Sequence, residues 1–221
     1  MSDLRQRFFI ENSPVRGEVV HLEDALQTIL AQRTYAPAIQ VLLGEMLSAT
    51  ALLASTLKIK GRISLQIQAT GTLKWAMAEC NHLGELRALA DYEEDPHFNQ
   101  AEDSSTVLSS LLNPVLFINI EPEFGERYQG IVPLDKPTLA KCLMQYYDLS
   151  AQIPTRIVLA SSNQRSGGLL IQLLPRNNEQ EQLLVDEDIW PRLTLLTETL
   201  KAEELTQLDA QEILYRLYNE E

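Results

Sequence analysis

The stretch PAIQVLLGEMLSATALLASTL, from Pro37 to Leu57, decides the fold of this chain. Apolar side chains occur on every side of a helix drawn through it, and Glu45 is its only charged residue. A helix that is apolar on all sides must be covered on all sides. At about 1.5 Å per residue it spans roughly 30 Å, the width of a small domain, and its serines and threonines argue against a membrane span. The stretch therefore predicts a central helix buried between two layers.

Strand patterns flank this helix on both sides in the sequence. Arg62 to Thr70 alternates strictly between apolar and polar residues, which predicts a strand that covers a core with one face. Other segments are rich in β-branched and aromatic residues and are bounded by turn residues, which predicts further strands. These segments are Leu4 to Glu11, Val15 to Leu22, Leu73 to Cys80, Glu85 to Ala90, Val115 to Ile120, Tyr128 to Val132, Thr155 to Ala160 and Leu169 to Leu174. We assign the last four to a second sheet and interpret Gly167-Gly168 as a tight turn between its strands.

The predicted fold class is α+β, and the chain is divided in two near Pro175. Residues 1–175 form a three-layer β/α/β core domain, with the buried central helix between two sheets. After Pro175 the sequence is first polar and then helical and leucine-rich, which predicts a helical linker region over residues 176–221. Asp209 stands three residues before Glu212, a capping-box arrangement that predicts the start of the last helix. No glycine or proline ends that helix, so we expect the coding sequence to continue beyond Glu221.

Charge and hydropathy narrow the classes of partner. A formal net charge of -13 repels a phosphate backbone, so nucleic acid is not an expected partner. The compact basic cluster of Lys58, Lys60 and Arg62 is interpreted as a solvated turn after a helix, whose C-terminus favours cations. The first ten residues contain no signal-peptide pattern, and no window is expected to reach the length of a membrane span. We therefore predict a cytoplasmic protein without a membrane partner.

The sequence contains none of the common catalytic or metal-binding motifs. There is no GxSxG elbow, Walker loop, GxGxxG or HExxH, and His21, His82 and His97 share no ligand spacing. Cys80 and Cys142 are the only cysteines and are far apart, so neither a disulfide framework nor a zinc site is indicated. We predict a protein that is not an enzyme and holds no cofactor in this chain. An unrecognised small-molecule enzyme is the minor alternative, which a deep pocket with converging ionisable groups would support.

Short blocks along the whole chain form a familiar series. They are Val15-Arg16-Gly17-Glu18, Leu42-Leu43-Gly44-Glu45, Lys60-Gly61-Arg62, Gly84-Glu85-Leu86-Arg87, Gly125-Glu126-Arg127-Tyr128-Gln129-Gly130, Gln152-Ile153-Pro154-Thr155, Gly167-Gly168-Leu169-Leu170, Trp190-Pro191-Arg192-Leu193 and Glu212-Ile213-Leu214-Tyr215. Together they resemble the heat-shock protein 33 family of redox-regulated holdase chaperones. Two details depart from that family, which usually has an acidic residue in place of Ala151 and a glycine-rich approach in place of Ser109 to Pro114.

The resemblance implies a core of two sheets around a buried helix, then a helical linker and a C-terminal zinc domain. The four-cysteine zinc site of that domain would follow Glu221, so zinc, disulfide bonds and the redox switch are expected only in full-length members. In the family, reduced thiolates hold zinc and keep the linker folded, and oxidation releases zinc, unfolds the linker and exposes the surface that binds clients. Zinc binding energy is folding energy, and oxidation of the thiolate ligands removes it. Cys80 and Cys142 are not expected to act as the switch.

The leading hypothesis is an ATP-independent holdase of the oxidative stress response, which binds unfolding proteins on apolar surface and prevents their aggregation. The candidate client-binding residues are Trp190, Leu193, Leu196, Leu200, Leu205, Ile213, Leu214 and Leu217. An apolar helical stripe of this kind can instead pack on its own core. The alternative hypothesis is an inert structural core fragment without client binding, possibly a homodimer in which the linkers are swapped between copies.

Overall fold

A computed structural model describes residues 3–57, 60–175 and 188–221. The strands are β1 Leu4–Phe9, β2 Val15–Leu22, β3 Gly61–Thr70, β4 Leu73–Asn81, β5 Leu86–Tyr92, β6 Leu112–Pro122, β7 Tyr128–Pro133, β8 Thr155–Ser161 and β9 Ser166–Leu173. The helices are α1 Asp24–Leu30, α2 Pro37–Thr56, α3 Pro96–Gln100, α4 Ser104–Ser110, α5 Leu139–Tyr146 with a π-helical segment Tyr147–Ala151, α6 Ile189–Glu198, α7 Ala202–Gln207 and α8 Ala210–Tyr218. The strands form a four-stranded antiparallel sheet in the order β1-β2-β9-β8 and a five-stranded one in the order β5-β4-β3-β6-β7.

Helix α2 is the central layer of the fold, as its sequence predicts. Pro37 occupies the first turn, where a proline costs no hydrogen bond. The helix ends at Thr56, because the backbone of Leu57 is extended. Its core cluster joins Leu65 of β3, from one sheet, to Leu170 of β9, from the other. The predicted α+β architecture with a buried helix between two sheets is confirmed.

The expectation that no window reaches the length of a membrane span is wrong for α2. Its 20 residues have a mean hydropathy of 1.5 over the most apolar window, which is long and apolar enough to cross a membrane. The structure buries 83% of that window inside the protein. The same composition serves here to fill the space between two sheets, because a helix covered on all sides needs apolar residues on all sides.

The division of the strands between the sheets differs from the prediction. β6 pairs with β3 in a long antiparallel ladder in which Leu65 lies opposite Ile118, so β6 and β7 belong to the five-stranded sheet. β8 and β9 instead pair next to β2 from the start of the chain, with Val19 opposite Leu169. The assignment of all four late strands to one second sheet is therefore wrong. The alternation of apolar and polar residues identifies a strand and its two faces. It does not show which strand pairs with which, because that depends on the path of the chain between the two sheets.

Gly167 and Gly168 lie inside β9 and not in a turn, which corrects the sequence interpretation. The turn before β9 is formed by Ser162 to Arg165, with the Ser162 N–H donating to the Arg165 carbonyl at 2.8 Å. A Cβ atom at Gly167 would lie 2.7 Å from the Leu205 carbonyl oxygen on one face of the sheet. A Cβ at Gly168 would lie 2.6 Å from Leu52 Cδ1 on the other face. The two glycines thus allow helices to approach both faces of β9 closely.

Candidate functional site

An apolar layer lies between the outer face of the four-stranded sheet and helices α6 to α8, which we call the linker helices. On the sheet and in the turn after β1, the buried residues of this layer are Ile10, Val15, Val19, Ala160, Leu169 and Ile171. On the linker helices and the turns between them, they are Ile189, Leu193, Leu200, Leu205, Ala210, Ile213, Leu217 and Tyr218. This cluster is separate from the one around α2. We call the sheet side of the layer the covered face.

All eight candidate client-binding residues lie in this layer. Leu193, Leu200, Leu205, Ile213 and Leu217 are buried, and none is more than 6% exposed. Trp190, Leu196 and Leu214 are partly buried and pack against the same cluster. In this arrangement the five buried residues would become accessible to a client only after the linker helices leave the sheet. Their contact with clients stays a prediction.

Sequence reasoning missed the covered face itself, although a signal for it exists. β2 and β9 lack the apolar–polar alternation of β3, because runs such as Val19-Val20 and Leu169-Leu170-Ile171 place apolar residues on both faces. Strands buried on both faces read as continuous apolar runs. A continuous apolar run in a strand shows that something must cover the outer face of its sheet. The leucine-rich helical segment after Pro175 is the part of the sequence that can cover this face.

The linker helices depend on the sheet for their stability. They contain 10, 6 and 9 residues, and isolated helices shorter than about 12–15 residues are marginal in water. Local contacts help: Asp209 and Glu212 form the predicted capping box, with N···O distances of 3.0 and 2.8 Å. Arg216 ties α8 to α7 through Glu204 at 2.7 Å. Burial of each leucine or isoleucine contributes about 1.5–3 kcal/mol, so the apolar layer supplies most of what holds these helices in place.

Specific contacts fix the position of the linker helices on the sheet. The Arg165 guanidinium, in the turn before β9, donates to the Thr206 carbonyl at 2.9 Å and pairs with Glu23 at 2.8 Å. Arg156 of β8 lies over the Trp190 ring, 5.6 Å from its centroid. At the other end the Tyr218 ring stacks on the Phe8 ring of β1 at 5.7 Å. Core and linker are thus joined by these polar and ring contacts as well as by the apolar layer.

Alanine at Gly167 and at Gly168 is expected to have different consequences on the two faces of β9. Gly167→Ala presses on the backbone of α7, which cannot rotate away, so hydrogen exchange should rise in the linker helices while the core stays protected. Gly168→Ala presses on the Leu52 side chain and should lower the global free energy of unfolding by about 1–3 kcal/mol. Exchange rates and urea denaturation of both variants check this, and equal effects on both regions would contradict it.

The two cysteines are buried in the core, as expected for small apolar residues. Cys80 is 1% exposed and Cys142 is fully buried. Burial raises the pKa of the Cys80 thiol to about 11 and also raises the pKa of Cys142. Both groups are therefore protonated thiols at neutral pH, and the thiolate is the reactive form.

We expect both thiols to react slowly with an alkylating agent in the folded chain and rapidly in urea. Serine at both positions is expected to leave any client-holding activity unchanged, because neither thiol reaches the surface. Mass spectrometry after timed alkylation and a client aggregation assay measure the two outcomes. A loss of holding activity in a serine variant that keeps its fold would show that a cysteine takes part after all.

An open pocket of about 400 Å³ lies at one end of the five-stranded sheet. Its charged groups are paired, since Arg62 contacts Glu121 at 2.6 Å and Arg87 contacts Glu79 at 2.9 Å. The Arg62 partner holds the pKa of Glu121 below its usual value, so this carboxylate is ionised and not poised as a general acid. Within residues 3–57, 60–175 and 188–221, no three His, Cys, Asp or Glu side chains gather where they could hold a metal ion. The predicted basic cluster of Lys58, Lys60 and Arg62 contributes Arg62 to this pocket. Arg62 lies in β3 and pairs with Glu79 and Glu121 of the neighbouring strands, and Lys58 lies outside the described residues.

A row of apolar side chains crosses the outer face of the five-stranded sheet, which sequence reasoning did not single out. In the strand registers Leu89 lies opposite Met77, and Phe117 lies opposite Ile131, with Gln66 between the two pairs. Leu89 and Ile131 are 42% and 62% exposed. This exposed row differs from the covered face in that no helix among the described residues lies over it.

Comparison with known proteins places the chain among chaperones. The family model described as "Hsp33 protein" matches residues 3–221. A 33 kDa chaperonin of Shewanella denitrificans is 42% identical over 220 residues, which are 99% of this chain and 72% of the relative. A 33 kDa chaperonin of Shewanella oneidensis is 39% identical over 219 residues, with 99% and 73% covered. The crystal structure of the 33 kDa chaperonin of Thermotoga maritima, a heat shock protein 33 homologue, superposes with a TM-score of 0.81 at 19% identity, covering all of this chain and 76% of that one.

Proposed function

The chain belongs to the Hsp33 family and is therefore a chaperone, and from this premise we propose that it is an ATP-independent holdase. In this proposal it binds unfolding proteins on apolar surface and keeps them from aggregating, in the cytoplasm. Clients are its partners, and neither nucleic acid nor a membrane is required. The net charge of -13 would help to keep a client-loaded complex in solution.

The apolar layer under the linker helices is the observation that carries this proposal. When α6 to α8 leave the sheet they lose the packing that keeps such short helices folded. The covered face and the apolar residues of the linker then become accessible together, as one large apolar surface. Surfaces of this kind are rare on monomeric proteins and mark sites of interaction with other proteins. The docked state hides the surface, and release of the linker exposes it.

We propose that redox control of the kind the family resemblance implies requires zinc-binding cysteines other than Cys80 and Cys142. The residues present here do not fit a zinc site, since Cys80 and Cys142 are buried in the core on separate elements, β4 and α5. No step of the proposed activity passes through zinc in this chain. The holding activity of this chain should therefore be the same under reducing and oxidising conditions.

The alternative function, an inert or linker-swapped body, rests on the same apolar layer. A linker that docks on the sheet of its own chain can dock in the same way on the sheet of a second copy, which gives a homodimer at low cost. Multi-angle light scattering over a range of concentrations distinguishes the two arrangements. A monomer at all concentrations would contradict the swapped arrangement and would be compatible with the holdase proposal.

The proposed function is tested by diluting a chemically unfolded protein into buffer with this chain and without nucleotide. We expect light scattering from the aggregating client to fall with increasing chain concentration, equally with dithiothreitol and with hydrogen peroxide. An equal mass of a folded acidic protein without chaperone activity serves as the control. If neither the wild type nor a variant with released linker helices lowers the scattering, the holdase proposal is overturned and the inert body takes its place.

A further inference from the structure

His21 lies at the boundary between the covered face and the linker. It belongs to β2 and is 5% exposed, and its strand neighbours are Leu4 on β1 and Gly167 on β9. The backbone of α7 lies directly over Gly167. A Cβ atom built at this glycine would lie 2.7 Å from the Leu205 carbonyl oxygen and 3.2 Å from Cδ2 of the His21 ring, so the ring and α7 both lie close to the glycine. The imidazole is therefore sealed under α7 by the close approach that Gly167 allows.

The environment of this ring does not suit a charged imidazolium. Its Nε2 atom is buried and has no hydrogen-bond partner of normal geometry. Burial is the main cause that lowers the pKa of His21 below its usual value of 6.5, and the nearby Arg165 guanidinium lowers it further. The Leu205 carbonyl and the Asp209 carboxylate act in the opposite direction. Leu4 and Gly167 bring no charge to the ring, and Glu23 is engaged by Arg165 at 2.8 Å.

We propose that His21 is a pH-sensitive latch for the linker, whose protonation drives α6 to α8 off the covered face. In the docked state the ring is neutral and fits under α7. In the released state it is open to water and takes up a proton as an ordinary histidine does. Protonation therefore favours release, and with the holdase activity proposed above, on which the biological role of this latch rests, mild acid would expose the client surface.

The direction of the pH dependence follows from linkage. A base whose pKa is lower in the docked state than in the released state binds more protons after release. Docking is therefore strongest above pH 6.5 and weakens as the pH falls from there towards the lower pKa of the docked ring. Each unit by which docking lowers the pKa corresponds to about a tenfold change in the opening equilibrium.

Hydrogen exchange of the amides of residues 189–218, corrected for the intrinsic pH dependence of exchange, measures this opening in the full chain without client. In the wild type we expect the opening equilibrium to rise severalfold between pH 7.5 and pH 5.5, while amides of α2 keep their protection. His21→Gln, which cannot take up a proton, should lose this rise. His97→Gln, at an exposed position in α3, is the matched control and should behave like the wild type.

The His21 ring protons also report on the latch directly by nuclear magnetic resonance, even if His21→Gln does not fold. We expect the ring to titrate below pH 6.5 in the docked chain. An ordinary titration of His21, or an equal rise of exchange with and without the histidine, would overturn the latch. Because no client is present, a chain that shows the latch but fails to hold clients contradicts the proposed function alone.

Discussion

Glutamate in place of Leu193 is expected to release the linker helices and turn the chain into a stronger holdase. Leu193 is fully buried in α6, against the covered face. Truncation of a buried leucine costs about 2–5 kcal/mol, and a buried carboxylate without a partner adds a further penalty. We expect docking to weaken by about 3–5 kcal/mol, which corresponds to a rise of about 100-fold or more in hydrogen exchange over residues 189–218. Light scattering should then show client protection at a lower ratio of chain to client.

Leu195→Glu is the matched control for this experiment. It introduces the same charge two residues away in the same helix, at a side chain that is 65% exposed. Its linker exchange and its holding activity are expected to equal those of the wild type. Strong release by Leu193→Glu without any gain in holding would mean that the covered face does not bind clients, and the exposed row with Leu89 and Ile131 would then be the next surface to test. Unchanged exchange in Leu193→Glu would contradict the role of the apolar layer in docking.

Glutamine in place of Glu45 is expected to stabilise the core at alkaline pH by about 3 kcal/mol. Glu45 lies in α2, where burial raises the pKa of its carboxyl to about 7, with the nearby Asp103 charge acting in the same direction. The Ser104 hydroxyl donates to it at 2.6 Å and partly offsets this effect. The unfolded chain releases this proton at a lower pH, near the usual glutamate value of 4.5. The folded state therefore binds more protons between these two values, and its stability falls as the pH rises from about 4.5 through about 7.

Urea denaturation at pH 5 and at pH 8.5 measures this effect. The free energy of unfolding of Glu45→Gln should lie close to that of the wild type at pH 5, where the carboxyl is protonated in the folded chain, and exceed it by a much larger amount at pH 8.5. Glu102→Gln, an exposed neighbour on the same side of the molecule, controls for the loss of one negative charge from an acidic protein. An equal gain in both variants would assign the effect to net charge, and no gain in either would show that Glu45 is solvated in the folded state.

Both substitutions bear on one property of this chaperone, namely that its two apolar clusters differ in what protects them. The cluster around α2 is enclosed by two sheets, so it opens only when the whole core unfolds. The cluster on the covered face is closed by short helices, which can leave without disturbing α2. Local opening of this kind requires much less free energy than global unfolding. The fold could therefore expose the proposed client-binding surface while its core remains folded.

The amino-acid sequence by itself determined the central helix, the positions of the strands and the family. Pro37 to Leu57 could only be a buried helix because its side chains are apolar all round. The alternation of β3 fixed which of its faces meets the core, and Asp209 with Glu212 fixed the start of α8. These features depend on neighbours within a few residues along the chain, so local patterns record them.

Only the tertiary structure decided which strands pair, what Gly167 and Gly168 do, and where the linker helices lie. β6 joins β3, and β9 joins β2, across long separations in sequence that alternation does not encode. Gly167 and Gly168 do not form a turn. They lack a side chain so that α7 and α2 can approach the two faces of β9 closely. The apolar stripe with Leu193 and Ile213 showed that the linker covers or binds something, but the same stripe suits a client or its own sheet. The physical reason is that burial depends on two surfaces that pack together. A local sequence pattern shows that one surface is apolar, but it does not show which other surface covers it.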